Sequence, residues 1–76
     1  KGNVIVANHI SRPGIVGHVC ILLDKCNISI SNMQIGKVNA SSESMMILAV
    51  EDVVPSNVMQ EIVGSNGIIS AKLVQL

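Results

Sequence analysis

The sequence predicts an α+β domain of the ferredoxin-like type, a four-stranded antiparallel sheet with two helices on one face. Two segments place apolar residues at helical spacing, and four others are short apolar or alternating runs, in the order β-α-β-β-α-β. Because crossovers in such units are right-handed, we expect the first and third strands at the centre of the sheet. All 76 residues are expected to form one domain, since this length supplies one core and no more.

The first strand and the first helix are predicted from the N-terminal third. Residues 3–9 form a β-branched apolar run bounded by polar residues, which is typical of a strand. Pro13 begins a helix well, because it lacks an N–H that would have no partner there, and Ser11 is expected to cap it. Asn27 is expected to end the helix in a left-handed conformation. The helix carries one apolar stripe, formed by Ile15, Val16, Val19, Leu22, Leu23 and Cys26.

The central segment predicts a hairpin. Residues 28–31 alternate with period two, and Met33 and Ile35 continue the alternation one residue out of step, which predicts a bulge near Asn32. Residues 38–43 are expected to form the hairpin connection, and an apolar strand follows over residues 44–50.

The last third predicts a second helix and a last strand. The helix opens at Pro55-Ser56, carries Val58, Met59, Ile62 and Val63 on one side, and ends within residues 64–67. The strand covers residues 68–76, with alternation at Ile69, Ala71 and Leu73. The sheet face away from the helices is expected to carry many Ile, Met and Val side chains, covered by another copy or domain.

Composition excludes several classes of protein. The net charge is zero and Phe, Tyr and Trp are absent, so we expect no nucleic-acid partner. No apolar run approaches the roughly 20 residues that span a bilayer, and no secretory signal is visible, so we expect no membrane partner. Cys20 and Cys26 lack a CxxC spacing and are expected to be reduced, partly buried thiols of a cytoplasmic protein. The start at Lys1-Gly2 suggests a fragment of a longer enzyme.

No catalytic or metal-binding residue is predicted. The acidic residues show no paired spacing, and neither a Ser-His-acid signature nor a phosphate loop is visible. His9 and His18 with the two cysteines do not form a zinc pattern, and His18 lies off the apolar stripe, so it is expected to face solvent. By itself this domain is therefore not expected to be an enzyme.

The turn before the first helix is the candidate binding site. A helix N-terminus offers unpaired N–H groups and partial positive charge, and Gly14 lets a small carboxylate approach the backbone. His9 can donate to a carboxylate or hydroxyl, while Asn32 or a side chain of a partner chain can accept from an amino group. Two structural alternatives stay open: Pro13 and Gly14 only begin the helix, and His9 is a surface or capping residue.

The segment His9-Ile10-Ser11-Arg12-Pro13-Gly14 resembles the entry motif of ACT domains. Residues 28–37, ISISNMQIGK, are similar to a segment of the ACT domains at the C-terminus of D-3-phosphoglycerate dehydrogenases, and iron–sulfur L-serine dehydratases carry a very similar domain. Residues 45–50 and 67–73 also fit, so the resemblance covers nearly the whole chain.

The resemblance implies regulation by a small amino acid, serine for this dehydrogenase, bound between two ACT domains in a homodimer or higher oligomer. It implies no cofactor in this domain and NAD in the parent enzyme if that is the dehydrogenase. His9 matches the ligand-contacting histidine, whereas Ser11 stands where Asn or Asp is common and Ser29 where Asn is usual. The implied site comprises His9, Ser11, Arg12, Pro13, Gly14, Ile15, Ser29 and Asn32.

Two other functions compete with amino-acid sensing. A purely structural assembly module would hold subunits together without binding a ligand, and the serines at positions 11 and 29 favour it. A small enzyme or metal carrier on the same fold is disfavoured, because the residues that such chemistry needs are missing.

Overall fold

A computed structural model describes residues 2–38 and 42–76. The elements are β1 (Asn3–Ile10), α1 (Ile15–Lys25), β2 (Ile30–Lys37), β3 (Glu43–Val50), α2 (Ser56–Val63) and β4 (Ile68–Gln75). One sheet has the strand order β2-β3-β1-β4, with every neighbouring pair antiparallel. The predicted fold class, element order and central position of the first and third strands are therefore confirmed.

The core lies between one face of the sheet and both helices. Ile5 and Ala7 of β1 and every second residue of β3 from Met46 are buried, as expected when alternate side chains point to one face. Both helices contribute fully or almost fully buried residues to the same cluster, among them Val19, Leu23, Val58 and Ile62. The two helices thus cover one face of the sheet, and neither is long and apolar enough to cross a membrane.

The ends of α1 agree with the prediction in one respect and differ in another. Asn27 has φ 60°, the left-handed conformation expected after the helix. At the other end the N-cap residue is Gly14, with φ 94° and no side-chain capping bond. The expectation that Ser11 caps the helix is wrong, because its hydroxyl is hydrogen-bonded to that of Ser44 on β3.

The predicted bulge in β2 is confirmed. Ile30 pairs with Val50 and Asn32 with Ala49, so Ser31 is the extra residue. The shift places Met33 and Ile35 opposite Leu48 and Met46, on the helix side of the sheet. The helices leave these two side chains 44% and 51% exposed, because β2 is an edge strand.

A second bulge corrects the alternation predicted for β4. The register of β1 with β4 shifts between Asn8 and His9, and Ile69 becomes the extra residue. Ile68 therefore packs against the core with Ala71 and Leu73, while Ile69 is 56% exposed.

The second face of the sheet carries an apolar centre with polar flanks. Cross-strand partners share a face, so the register places on it Val4, Val6, Met45, Ile47, Ala49 and Val74, with Asn8, Asn32, Gln34, Ser70 and Lys72 around them. The Ile, Met and Val side chains expected there are present, although Met33 lies on the other face. Coverage by another copy or domain stays a prediction.

The structure describes the two ends of the predicted hairpin connection. The amide of Val38 donates to the carbonyl of Glu43 (3.0 Å), whereas residues 39–41 of the predicted connection lie outside the described residues.

Both cysteines are free thiols, with Cys20 half-buried and Cys26 exposed. The expectation of a partly buried thiol thus holds for Cys20 and is wrong for Cys26, which follows the last turn of α1.

Candidate ligand-binding corner

His9 is buried at the end of β1. It continues the alternation of Ile5 and Ala7 into the core and is 3% exposed, so the alternative that it is a surface residue is wrong. Its Nδ1 lies 2.9 Å from the carbonyl oxygen of Ile10. Because a carbonyl only accepts, Nδ1 carries the proton, and Nε2 of the neutral ring is an acceptor.

The second ring nitrogen of His9 is the unusual atom of this site. Nε2 is buried and has no hydrogen-bond partner among the described residues. Leaving such a buried polar atom unpaired costs about 1–3 kcal/mol, and a ligand group that donates to Nε2 would recover that cost.

Ser44 lies directly opposite His9 on β3, and it is also buried. Residues directly opposite each other project from the same face of the sheet, so both side chains point toward the helix side. The hydroxyl of Ser44 is hydrogen-bonded to that of the half-buried Ser11, and the amide of Ser11 donates to the carbonyl of Ser42 (2.7 Å). The turn after β1 is thereby fixed to the beginning of β3.

The beginning of α1 is open beside Gly14. A Cβ atom built on Gly14 meets nothing within 4 Å, and Arg12 and Pro13 are exposed. The first N–H groups of a helix lack intrahelical partners and carry partial positive charge. A carboxylate can therefore approach the backbone here. We call the group formed by residues 9–15 with Ser44 the corner.

The turn between α2 and β4 packs against the corner. Gly67 has φ 91°, and its carbonyl accepts from the amide of Ile10 (2.9 Å). A Cβ atom on Gly67 would overlap the buried side chain of Ile15 and come within 3.4 Å of the Arg12 guanidinium. The neighbouring Ser65 hydroxyl lies 3.2 Å from Nε2 of the exposed His18, which was expected to face solvent.

Ser29 and Asn32 lie at the far end of the sheet. Ser29 precedes β2, and its carbonyl accepts from the amide of Glu51, just after β3. The six steps along β3 from Ser44 to Val50 span about 20 Å. The Ser29 amide donates to Oδ2 of Asp52 (2.8 Å). Ser29 also lines a cleft of about 640 Å³ between α1 and β2. Asn32 pairs with Ala49 and faces away from the helices.

Within one chain the structure thus unites six of the eight predicted site residues: His9, Ser11, Arg12, Pro13, Gly14 and Ile15. Ser44 and Gly67 were missed by the sequence reasoning. Ser44 has the same parity as Met46, Leu48 and Val50, which was the available signal that it faces the core. Nothing in the sequence indicates that Gly67 packs against Ile15, because that contact depends on the relative position of two turns.

Comparison with known proteins identifies sequence relatives, although no family model matches the chain. The D-3-phosphoglycerate dehydrogenase of Methanocaldococcus jannaschii is 39% identical over 62 residues, which are 82% of this chain and 12% of that protein. The dehydrogenase of Archaeoglobus fulgidus is 33% identical over 78 residues, 100% of this chain and 15% of that protein. The chain therefore spans less than a sixth of the length of these relatives.

Solved structures identify the fold. The ACT domain of GTP pyrophosphokinase from Chlorobium tepidum superposes with a TM-score of 0.73 at 10% identity, over 96% of each chain. A formyltetrahydrofolate deformylase from Pseudomonas putida gives 0.81 at 13% identity, over 100% of this chain and 29% of that one.

The chain has the fold of an ACT domain. Within that class its sequence is related to the D-3-phosphoglycerate dehydrogenases, as the resemblance of its motifs predicted.

Proposed function

We propose that this domain is the amino-acid-binding regulatory domain of a D-3-phosphoglycerate dehydrogenase, with serine as the first candidate ligand. The observation that carries the proposal is the buried, unpartnered Nε2 of His9 beside an uncapped helix N-terminus. A small zwitterion suits both features, because its carboxylate is attracted to the start of α1 and a hydroxyl or ammonium group can donate to the ring nitrogen.

A second copy of the chain completes the site in this proposal. β2 is an edge strand, so it can pair antiparallel with β2 of a partner. Antiparallel pairing places the beginning of one β2 beside the end of the other, which lies at the His9 end of the sheet. Ser29 of the partner subunit would then approach the corner. Asn32 faces the opposite side of the sheet from the corner, so its proposed contact requires the ligand to reach around the β2 edge.

Exposed apolar side chains beside this edge support the same dimer. Ile21 on α1 is 62% exposed, and Met33 and Ile35 of β2 are 44% and 51% exposed. A group of apolar side chains next to a free strand edge is typical of a protein–protein contact. Ligand bound between two domains would favour one relative arrangement and so bias distant active sites.

The parent enzyme is proposed from the sequence relatives. The matched dehydrogenases support a D-3-phosphoglycerate dehydrogenase over an L-serine dehydratase, which stays the alternative. NAD would then bind in the rest of the parent chain, and this domain would hold no cofactor. The same proposal assigns the parent enzyme to the cytoplasm.

The test of the proposal is a pair of histidine substitutions. His9→Asn keeps a side-chain amide that can donate near the position of Nδ1 and removes Nε2, so we expect serine affinity to fall at least tenfold. His9→Gln, whose amide reaches further, should lose less. Binding is measured by calorimetry with serine, glycine and alanine, and the fold of each variant is checked by circular dichroism.

His18→Asn is the matched control, because this exposed histidine lies one helical turn beyond Gly14, outside the corner. It should bind as the original chain does. The proposal fails if none of these amino acids produces heat or a shift in melting temperature with a confirmed dimer.

A structural assembly module is the second candidate, and one observation favours it. The Ser11 hydroxyl, which stands where the resemblance implies a ligand contact, is already hydrogen-bonded to Ser44. Deleting the domain from a dehydrogenase that carries it would then change the oligomeric state and leave inhibition by amino acids unchanged. If amino-acid inhibition is lost with the domain, the sensing function is supported instead.

A further inference from the structure

The corner contains a second buried polar group besides His9. Ser44 is 6% exposed, lies directly opposite His9 in the β1–β3 register and shares a hydrogen bond with Ser11. None of the segments that carry the resemblance to ACT domains, residues 9–14, 28–37, 45–50 and 67–73, includes Ser44, so the resemblance assigns it no role.

The hydrogen-bonding capacity of this group is unbalanced. One hydroxyl of the Ser11–Ser44 pair donates to the other, and the accepting hydroxyl keeps its own proton free to donate elsewhere. His9 presents the opposite deficiency: Nδ1 donates to the Ile10 carbonyl, and Nε2 of the neutral ring lacks a donor among the described residues. The group therefore has one spare donor and one unsatisfied acceptor.

Few ligand groups can both accept from the spare hydroxyl of the serine pair and donate to Nε2 of His9. A carboxylate only accepts, an ammonium group only donates, and a methyl group does neither. A neutral hydroxyl can accept from the serine pair and donate to Nε2 at the same time.

We propose that Ser44 is a specificity-determining residue of the corner, which together with His9 selects amino acids with a side-chain hydroxyl over those with hydrogen or methyl. This inference rests on the proposed function and adds Ser44 to the site. Because Nε2 is closed off from solvent, a ligand reaches it only after neighbouring side chains move. Ser11 is half-buried and hydrogen-bonded to Ser44, so one hydroxyl of the serine pair lies partly within reach of solvent.

The experiment compares serine with alanine on the 76-residue chain and its variants by calorimetry. We expect the original chain to prefer serine by about tenfold, the value of one well-formed hydrogen bond. Ser44→Ala should reduce this ratio toward one by weakening serine binding, while alanine affinity stays within about twofold. Ser44→Thr keeps the hydroxyl and should restore the preference. Ser42→Ala is the control, because the Ser42 side chain is exposed and the substitution keeps the backbone carbonyl that accepts from the Ser11 amide.

A second measurement keeps the inference testable if Ser44→Ala does not fold. The ¹⁵N resonance of His9 Nε2 in the original chain should move markedly more with serine than with alanine, because alanine lacks the side-chain hydroxyl that donates to Nε2. A shift of similar size with both ligands would overturn the inference.

The remaining outcomes separate the two proposals. If Ser44→Ala binds serine and alanine in the original ratio, or loses both equally, Ser44 does not determine specificity and the proposed sensing function stands. If the original chain binds neither amino acid, both proposals fail.

Discussion

At the residue scale, the candidate site depends on two turns that pack against each other. Ile15, the first residue of α1, is buried against Gly67, which lies just before β4, and the Gly67 carbonyl accepts from the amide of Ile10. The corner therefore keeps its shape only while both turns keep theirs. A position far from the histidine in sequence thus contributes to the geometry of the site.

Gly67→Ala is expected to destabilise the domain by about 2–4 kcal/mol. A φ of 91° is costly for a residue with a Cβ atom, and the added methyl group overlaps Ile15. Urea unfolding measures the free energy of unfolding of both proteins. An unchanged midpoint would contradict the packing described here.

Gly17→Ala is the matched control for that substitution. Gly17 lies in the interior of α1, and a Cβ atom there meets nothing within 4 Å. Because alanine is the better helix former, this variant should gain up to about 1 kcal/mol.

At the residue scale, turn chemistry predicted the end of α1 at Asn27 correctly and the cap at Ser11 wrongly. The left-handed Asn27 followed from its place after an apolar helical stripe. The burial of His9 could have been read from its alternation with Ile5 and Ala7. The hydrogen bond between Ser11 and Ser44 could not, because it needs the β1–β3 register, which adjacent residues do not determine.

At the scale of the elements, the two edge strands behave differently. The bulge at Ser31 directs Met33 and Ile35 toward the helix side of β2, where Ile21 of α1 is also exposed. On β4 the bulge at Ile69 instead moves an isoleucine out of the core alternation. The first bulge was predicted because two apolar residues are visibly out of step, and the second was missed because Ile68 and Ile69 are chemically identical.

Ile21→Glu is expected to dissociate the proposed dimer and leave the fold intact. The side chain is 62% exposed and lines the cleft between α1 and β2, so a charge there is tolerated by the single chain and disfavours burial against a partner. Analytical ultracentrifugation of the variant should give monomers at concentrations where the original chain is dimeric.

Val53→Glu is the control for this substitution. Val53 is 78% exposed in the connection between β3 and α2 and lines a cleft with Gln75 and Leu76, at the end of the opposite edge strand β4, so its replacement should leave the dimer unchanged. Equal dissociation by both variants would show that the contact lies elsewhere.

At the scale of the whole molecule, the fold was predictable because every level of the sequence agreed with it. Helical stripes, alternating runs and turn residues all favoured the same order of elements, and handedness then determined the order of strands in the sheet. The site was predictable only in part. Six of its residues lie within the seven-residue stretch 9–15, whereas Ser29 and Asn32 lie on a different end or face of the sheet from His9.

The distance between His9 and Ser29 has a consequence for how the domain would respond to dilution. If one binding site combines the corner of one chain with the start of β2 of another, an isolated chain holds only half of that site. Occupancy and association then become a single linked equilibrium, in which each strengthens the other by the same factor. Serine titrated at micromolar and at millimolar protein should show weaker apparent binding in the dilute sample. Identical affinities at both concentrations would mean that a lone chain suffices.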